Sequence, residues 1–225
     1  MAKTRHIFRT TVHGNPNVGL CGYATDEYCL IGAEFTKEQA KEIETVMKVP
    51  VHRISMCGTA LIGVFVAGNS NCLLVPGIAF DYELKILDRL GIRYKVLDTK
   101  LTALGNNILC NDFGCLVNQE FPESEIKIIK EALDVPVKTG TIATFDIVGV
   151  MAALNRKGGV INRDVKDKEL DIIEDLLHIG LTRGTVNIGT PQTRSGLFCN
   201  TDGFIVGEVS SGPEIINIDE ALGFI

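Results

Sequence analysis

The chain has 225 residues, of which 45% are hydrophobic and 22% are charged, a composition typical of a globular protein with an ample core. Its net charge of -6 argues against a broad nucleic-acid-binding surface, because such a surface needs clustered lysines and arginines. Its apolar runs fall short of the ~20 residues that cross a bilayer, and its seven cysteines, an odd number without a Cys-x-x-Cys pair, predict free thiols in a reducing, cytoplasmic setting.

The first elements predict a strand, a hairpin and a helix. Residues 7–12 alternate loosely as a strand, and residues 18–31 have the pattern of strand, polar turn and strand. The segment Thr36-Lys37-Glu38-Gln39 matches a capping box and predicts the start of a helix. Pro50 prevents this helix from continuing, and residues 49–54 alternate as the next strand.

The same order of elements returns along the chain. Further helices are predicted to begin at Asp81, Ser124 and Asp167, each with a stripe of leucine or isoleucine on one face. A strand follows each helix, at residues 92–96, 135–139 and 179–183. The hairpin turns recur at spacings of 44, 42, 44 and 45 residues, at Thr25, Asn69, Asn111, Asn155 and Asn200. Such a regular period indicates five copies of one supersecondary unit.

The fifth copy lacks its third strand. A short helix is predicted after Pro213, and the chain then ends at Ile225. We expect the strand at residues 7–12 to complete the fifth unit and to close a ring, which removes open sheet edges. Because one unit cannot bury its apolar face alone, residues 1–225 are predicted to form a single domain. Its predicted repeats are residues 14–59, 60–102, 103–146, 147–192, and 193–225 together with 3–13.

Five strand-strand-helix-strand units in a closed ring resemble the pentein fold, an α/β propeller with pseudo-fivefold symmetry. The residues are more specific than the fold. Leu104-Gly105-Asn106, Cys110-Asn111-Asp112, Gly184-Thr185-Val186-Asn187 and the run from Gly58 to Val75 resemble the translation initiation factor 6 family. The resemblance covers essentially the whole chain, which ends soon after the fifth repeat, as archaeal members do.

The resemblance implies a function without chemistry. Members of this family bind the large ribosomal subunit on the face that meets the small subunit, beside the sarcin–ricin loop. There they contact a ribosomal protein, with at most a minor rRNA contact, and prevent subunit joining by occupying space. For this chain we therefore expect a cytoplasmic monomer that uses no cofactor, no metal and no membrane.

A glycine recurs at one position on the first strand of each predicted hairpin, and the residue after it is mostly apolar. One interpretation is that these glycines let five strands approach the ring axis closely. The other is that the following residues form a ring that docks a protein partner. The resemblance favours the second interpretation near Gly105 and Asn106, and it predicts an interface of Val64, Gly105, Asn106, Val150 and Leu197. The glycines are Gly19, Gly63, Gly105, Gly149 and Gly196, followed by Leu20, Val64, Asn106, Val150 and Leu197.

An amidine hydrolase is the enzymatic alternative. Pentein enzymes act on guanidine-like groups through a cysteine near the C-terminus and an upstream histidine, and this chain offers Cys199 and His178. The residues after His178 are Ile179-Gly180, whereas those enzymes carry a carboxylate two residues on.

The asparagines at the hairpin turns are interpreted as turn-forming residues, because asparagine bonds its own backbone readily. The cysteines favour burial as small apolar groups.

Overall fold

The computed structural model describes residues 5–225 and shows five modules in a closed ring, so residues 3 and 4 of the predicted segment 3–13 lie outside it. In each module the first two strands pair antiparallel and the third pairs parallel with the second. The strands, module by module, are Gly22–Ala24, Cys29–Gly32 and Val51–Ile54; Ala67–Gly68, Leu73–Pro76 and Tyr94–Leu97; Ile108–Cys110, Cys115–Val117 and Val137–Thr139; Ala152–Leu154, Gly158–Asn162 and Gly180–Gly184; Leu197–Cys199, Phe204–Gly207 and Ile7–Thr10.

The N-terminal strand closes the ring as predicted. Ile7–Thr10 pairs parallel with Phe204–Gly207, in the register Ile7↔Phe204 to Thr10↔Gly207. It thereby takes the place of the third strand that the fifth module lacks. The strand from the N-terminus and the two strands near the C-terminus form one sheet, so the ring has no open joint at this point.

One longer helix lies in each module, between its second and third strands or, in the fifth module, after its second. The capping box at the first helix is present, with Gln39 N–H donating to Thr36 Oγ1 and Thr36 N–H donating to Gln39 Oε1. The third helix begins at Glu123, one residue before the predicted Ser124. The helices are Lys37–Met47, Asp81–Arg89, Glu123–Leu133, Asp167–Leu177 and Gly212–Ala221.

The core consists of five apolar clusters, and each is shared by two neighbouring modules. In one cluster Ile43 and Met47 of the first helix pack on Ile31 of their own sheet and on Phe198 and Ile205 of the fifth. The other clusters join the remaining pairs of neighbours in the same way. Each helix therefore lies between two sheets, and no module buries its apolar residues without its neighbour.

Candidate functional site

A one-turn helix precedes the first strand of every module, and we call these five elements the axial turns. They correct the prediction that the recurring glycines lie on the first strands, because Gly19, Gly63, Gly105 and Gly149 lie within axial turns. The axial turns contact one another around the ring. They are Val18–Cys21, Ile62–Phe65, Leu104–Asn107, Val148–Met151 and Thr193–Ser195.

The glycines allow the axial turns to approach each other closely. A Cβ atom on Gly63 would collide with the carbonyl oxygen of Gly19, and one on Gly105 would collide with that of Gly63. The same relationship joins Gly149 to Gly105. Only a residue without a side chain fits where backbone meets backbone at this distance. Close packing at the axis therefore explains these four glycines.

The fifth place in this ring belongs to Arg194, not to Gly196 as predicted. A Cβ on Gly19 would meet the carbonyl oxygens of Arg194 and Leu197, just as a Cβ on Gly63 would meet those of Gly19 and Gly22. Arg194 is therefore the structural equivalent of the ring glycines. The hairpin pattern misplaced it, because Gly196 lies two residues later and follows a shorter axial turn.

The predicted interface residues differ in exposure. Val64 and Asn106 are partly exposed on their axial turns, whereas Gly105 is buried and Val150 is 9% exposed. Leu197 is 0% exposed and belongs to a core cluster of the fourth and fifth modules. The prediction that Leu197 lies on a docking surface is therefore wrong. It aligned Gly196 with the ring glycines, whereas Arg194 is their equivalent, so Leu197 was assigned the wrong position in its module.

Sequence reasoning missed exposed apolar side chains in the segments that lead into the axial turns. Leu61 and Ile147 come directly before two axial turns and are 38% and 39% exposed. Phe145 and Ile188 lie in the preceding loops and are 53% and 75% exposed. In the sequence, their signal is an isolated apolar residue within a loop that is rich in turn-forming residues. Together with Val64 and Asn106 of the axial turns, they define what we call the axial-turn face.

At the opposite ends of the first strands lie the hairpin turns, where the asparagines form turns as predicted. The side-chain oxygen of Asn111 accepts from the N–H groups of Phe113 and Gly114, at 2.9 and 3.0 Å. Its amide nitrogen also donates to the Leu177 carbonyl of the next module, at 2.7 Å. Equivalent bonds from Asn69, Asn155 and Asn200 reach the helix ends at Leu133, Leu222 and Met47. Each asparagine is therefore also a clasp between neighbouring modules.

The hairpins surround an axial cavity of about 120 Å³. Arg194 lies in this cavity and donates to the carbonyl oxygen of Gly105 at 3.1 Å, across the ring from its own module. At the hairpin end, Arg156 Nη2 lies 2.8 Å from Asp112 and its Nε lies 3.3 Å from Asp26. Three different hairpin turns are thereby joined across the mouth of the cavity.

The structure does not bring Cys199 and His178 together. Cys199 lines the axial cavity and its thiol donates to the Leu154 carbonyl at 3.3 Å, whereas His178 is exposed at a helix end and packs edge-on against Phe113. Within residues 5–225 no hydrogen bond joins the two side chains. Burial raises the pKa of Cys199 to about 12, the opposite of what a nucleophilic thiolate needs.

Comparisons with known proteins show which family the chain belongs to. The model of the eIF-6 family matches residues 7–221. The chain belongs to the eIF-6 family. Archaeal members named translation initiation factor 6 are similar along nearly their whole length. The protein of Pyrococcus furiosus is 43% identical, covering 98% of this chain and 100% of its own, and that of Saccharolobus solfataricus is 40% identical, covering 97% and 99%.

One solved structure that matches this eIF-6 family member is more distant in sequence. The N-terminal domain of ArgZ, an arginine dihydrolase of cyanobacteria, is 12% identical with a TM-score of 0.44, over 75% of this chain and 68% of that one. Among residues 5–225 no helix has the length and hydrophobicity of a membrane span. The same residues contain no cluster of three or more histidine, cysteine or acidic side chains arranged to hold a metal ion.

Proposed function

We propose that the chain binds the large ribosomal subunit and sterically prevents its association with the small subunit. Membership of the eIF-6 family over residues 7–221 carries this proposal, and the relatives' name gives the role in translation initiation. The contact proposed is a basic ribosomal protein near the sarcin–ricin loop, with a minor rRNA contact. The protein acts in the cytoplasm as a monomer.

The axial-turn face is the proposed docking surface. Its exposed apolar side chains, Leu61, Phe145, Ile147 and Ile188, suit the apolar centre of a protein interface. Val64 and Asn106 add a partly exposed apolar and a partly exposed polar group. Gly105 and Val150 contribute shape at most, since little of either is exposed. The net charge of -6 favours encounter with a basic partner.

The proposed role is non-enzymatic, and the axial cavity supports this. A guanidine substrate is a cation, and in this cavity it would meet the guanidinium of Arg194. The two carboxylates of the lining, Asp26 and Asp112, are already bonded to Arg156 at the mouth. Among residues 5–225 no histidine is hydrogen-bonded to Cys199, and His178 packs against Phe113 instead. A thiol with a raised pKa, next to a fixed positive charge and without a base, is not set up for amidine hydrolysis.

Co-sedimentation with purified archaeal large subunits tests the proposal. The protein is expected to pellet with the subunits and to lower the fraction of joined ribosomes when small subunits are added. Asn106→Lys on the axial-turn face is expected to weaken pelleting at least about tenfold, because it places a charge in an apolar contact. Glu27→Lys, an exposed change on the opposite hairpin face, is the matched control and is expected to bind normally.

Two outcomes count against the proposal. A wild-type protein that stays in the supernatant refutes ribosome binding. An Asn106→Lys variant that pellets as well as Glu27→Lys refutes the choice of face. Incubation with arginine provides the enzymatic comparison, since citrulline formation that is lost in Cys199→Ala would establish the hydrolase alternative instead.

A further inference from the structure

Arg194 is the one ring position that carries a side chain, and that side chain fills part of the ring axis. Its equivalents are Gly19, Gly63, Gly105 and Gly149. The guanidinium donates to the Gly105 carbonyl at 3.1 Å, lies 3.5 Å from the Val66 carbonyl and sits 5.8 Å from the centre of the Tyr23 ring. It is therefore held in place at the inner end of the axial cavity.

The positive charge of Arg194 has no carboxylate partner among residues 5–225. Carbonyl oxygens and an aromatic face compensate a guanidinium only in part, and burial lowers the pKa of Arg194 from its ordinary value. A guanidinium has five N–H donors, and two carbonyls do not use them all. Donors and charge thus remain for a further ligand.

The acidic groups of the cavity do not supply this partner, because each is committed at the mouth. Asp26 accepts from the N–H and the hydroxyl of Thr201, both at 2.8 Å. Asp112 accepts from the N–H and the hydroxyl of Ser70, at 2.9 and 2.7 Å. Both carboxylates also face Arg156. Two carboxylates and one guanidinium give the mouth a net charge of -1, whereas the inner end carries the unpaired positive charge of Arg194.

We propose that the axial cavity binds a small inorganic oxyanion of the size of phosphate against the guanidinium of Arg194. The volume of about 120 Å³ is several times what one water molecule needs, so a small polyatomic anion fits. Guanidinium groups bind oxyanions through paired N–H donors. The cavity opens between the hairpins, away from the axial-turn face, so this site is independent of the proposed ribosome contact.

Arg156 controls the approach to this site. It spans the mouth between Asp26 and Asp112, and its side chain is 54% exposed. An anion enters once the Arg156 side chain moves away from the two carboxylates, whose side chains are 28% and 23% exposed. Access therefore requires a side-chain movement and no unfolding of the ring.

The test is a titration with inorganic phosphate at constant ionic strength, set by potassium gluconate, whose anion is too bulky for the cavity. The thermal midpoint of the wild-type protein is expected to rise saturably by at least about 2 °C, and the phosphorus-31 resonance of phosphate is expected to broaden. Arg194→Met is expected to lose both effects. Arg163→Met removes an exposed arginine, 55% of whose side chain is accessible, and is expected to keep both.

Arg194→Lys keeps the charge but not the paired donors, and we expect about tenfold weaker phosphate binding. This variant decides the matter if Arg194→Met does not fold. An equal rise of the midpoint in wild type and Arg194→Met would overturn the proposal, because it would place the effect elsewhere. An unchanged phosphorus-31 line with the wild-type protein would overturn it as well.

Discussion

The side-chain amide of Asn200 donates to the backbone carbonyl of Met47 at 2.8 Å and so joins the fifth module to the first. The same amide lies 3.2 Å from the Thr25 carbonyl, at the hairpin turn of the first module. Its side-chain oxygen meanwhile accepts from Asp202 and Gly203, both at 3.0 Å. One buried side chain therefore shapes a hairpin and closes the ring at the joint where the two ends of the chain meet.

Asn200→Asp is expected to destabilise the protein by about 2–4 kcal/mol. The carboxylate still accepts from the turn N–H groups, but it faces the carbonyls of Met47 and Thr25 without a donor. Urea unfolding measures the loss. Asn15→Asp is the control, because Asn15 is exposed and its oxygen accepts from Asn17 in the same kind of turn. A change of less than about 0.5 kcal/mol is expected there, and an equal loss in both variants would disprove the clasp.

Thr25 shapes the hairpin turn of the first module, as Asn200 does in the fifth, but it does not join its module to the next one. Its hydroxyl accepts from Glu27 and Tyr28, at 3.2 and 3.1 Å, and it is too short to reach the second module. A crevice of about 260 Å³ lies between the first and second modules, lined by Tyr28, Asn69 and Leu90. Leu90 is the C-cap of its helix, as Leu222 is where Asn155 clasps.

Thr25→Asn is therefore expected to stabilise the protein by about 0.5–1 kcal/mol, through a new bond to the Leu90 carbonyl. The denaturant midpoint measures this gain. Thr25→Gln, whose amide is one carbon too far from the turn, is the matched control and is expected to lower the midpoint. Stabilisation by neither variant would mean that the first joint is closed by packing alone.

The sequence predicted the structural features that depend on residues close together in the chain. The capping box of Thr36 and Gln39, the period of the hairpins and the turn asparagines are all read within a few residues, and the structure contains them. The amphipathic stripes likewise predicted the helices, and the third helix begins one residue before the predicted Ser124. These features depend on neighbours in the chain, so their signal is complete in one sequence.

What the sequence did not reveal depends on contacts between modules. Arg194 was missed because Gly196 imitates the glycine pattern two residues later, and only the contact with Gly19 shows which residue occupies the ring. The clasp function of Asn200 was missed because Met47 lies 153 positions away. The exposure of Ile188 and the burial of Leu197 also depend on how the modules pack in the ring and not on the local sequence pattern.

A third prediction concerns the loss of stability at low pH. The carboxylate of Glu214 accepts from the N–H groups of Gly189 and Ser211 and from the hydroxyl of Thr185, at 2.8, 2.7 and 2.7 Å. Burial opposes ionisation, but these bonds outweigh it and lower the pKa of Glu214 to about 2. Glu83 and Glu169 make equivalent bonds, and their pKa values are lowered too.

Because the pKa of Glu214 is lower in the folded than in the unfolded chain, its stabilisation is complete above about pH 5 and is lost as pH falls from about 4.5 towards 2. Glu214→Gln is expected to cost about 1–2 kcal/mol at pH 7, with a deficit that shrinks by pH 3. Urea unfolding at several pH values measures it. Glu131→Gln, with an exposed side chain, is expected to show no such trend, and a constant deficit for Glu214→Gln would contradict the prediction.

The last prediction tests the packing at the ring axis. Gly63→Ala places a methyl group against the carbonyl oxygens of Gly19 and Gly22, which belong to the backbone and cannot rotate away. The two axial turns must separate, so a loss of about 3–5 kcal/mol is expected in urea unfolding. Gly212→Ala adds the same methyl group at a helix start where no atom lies within 4 Å, and it is expected to be neutral or stabilising by up to about 1 kcal/mol. Similar losses in both variants would contradict the prediction, because they would show that contact at the axis does not set the cost.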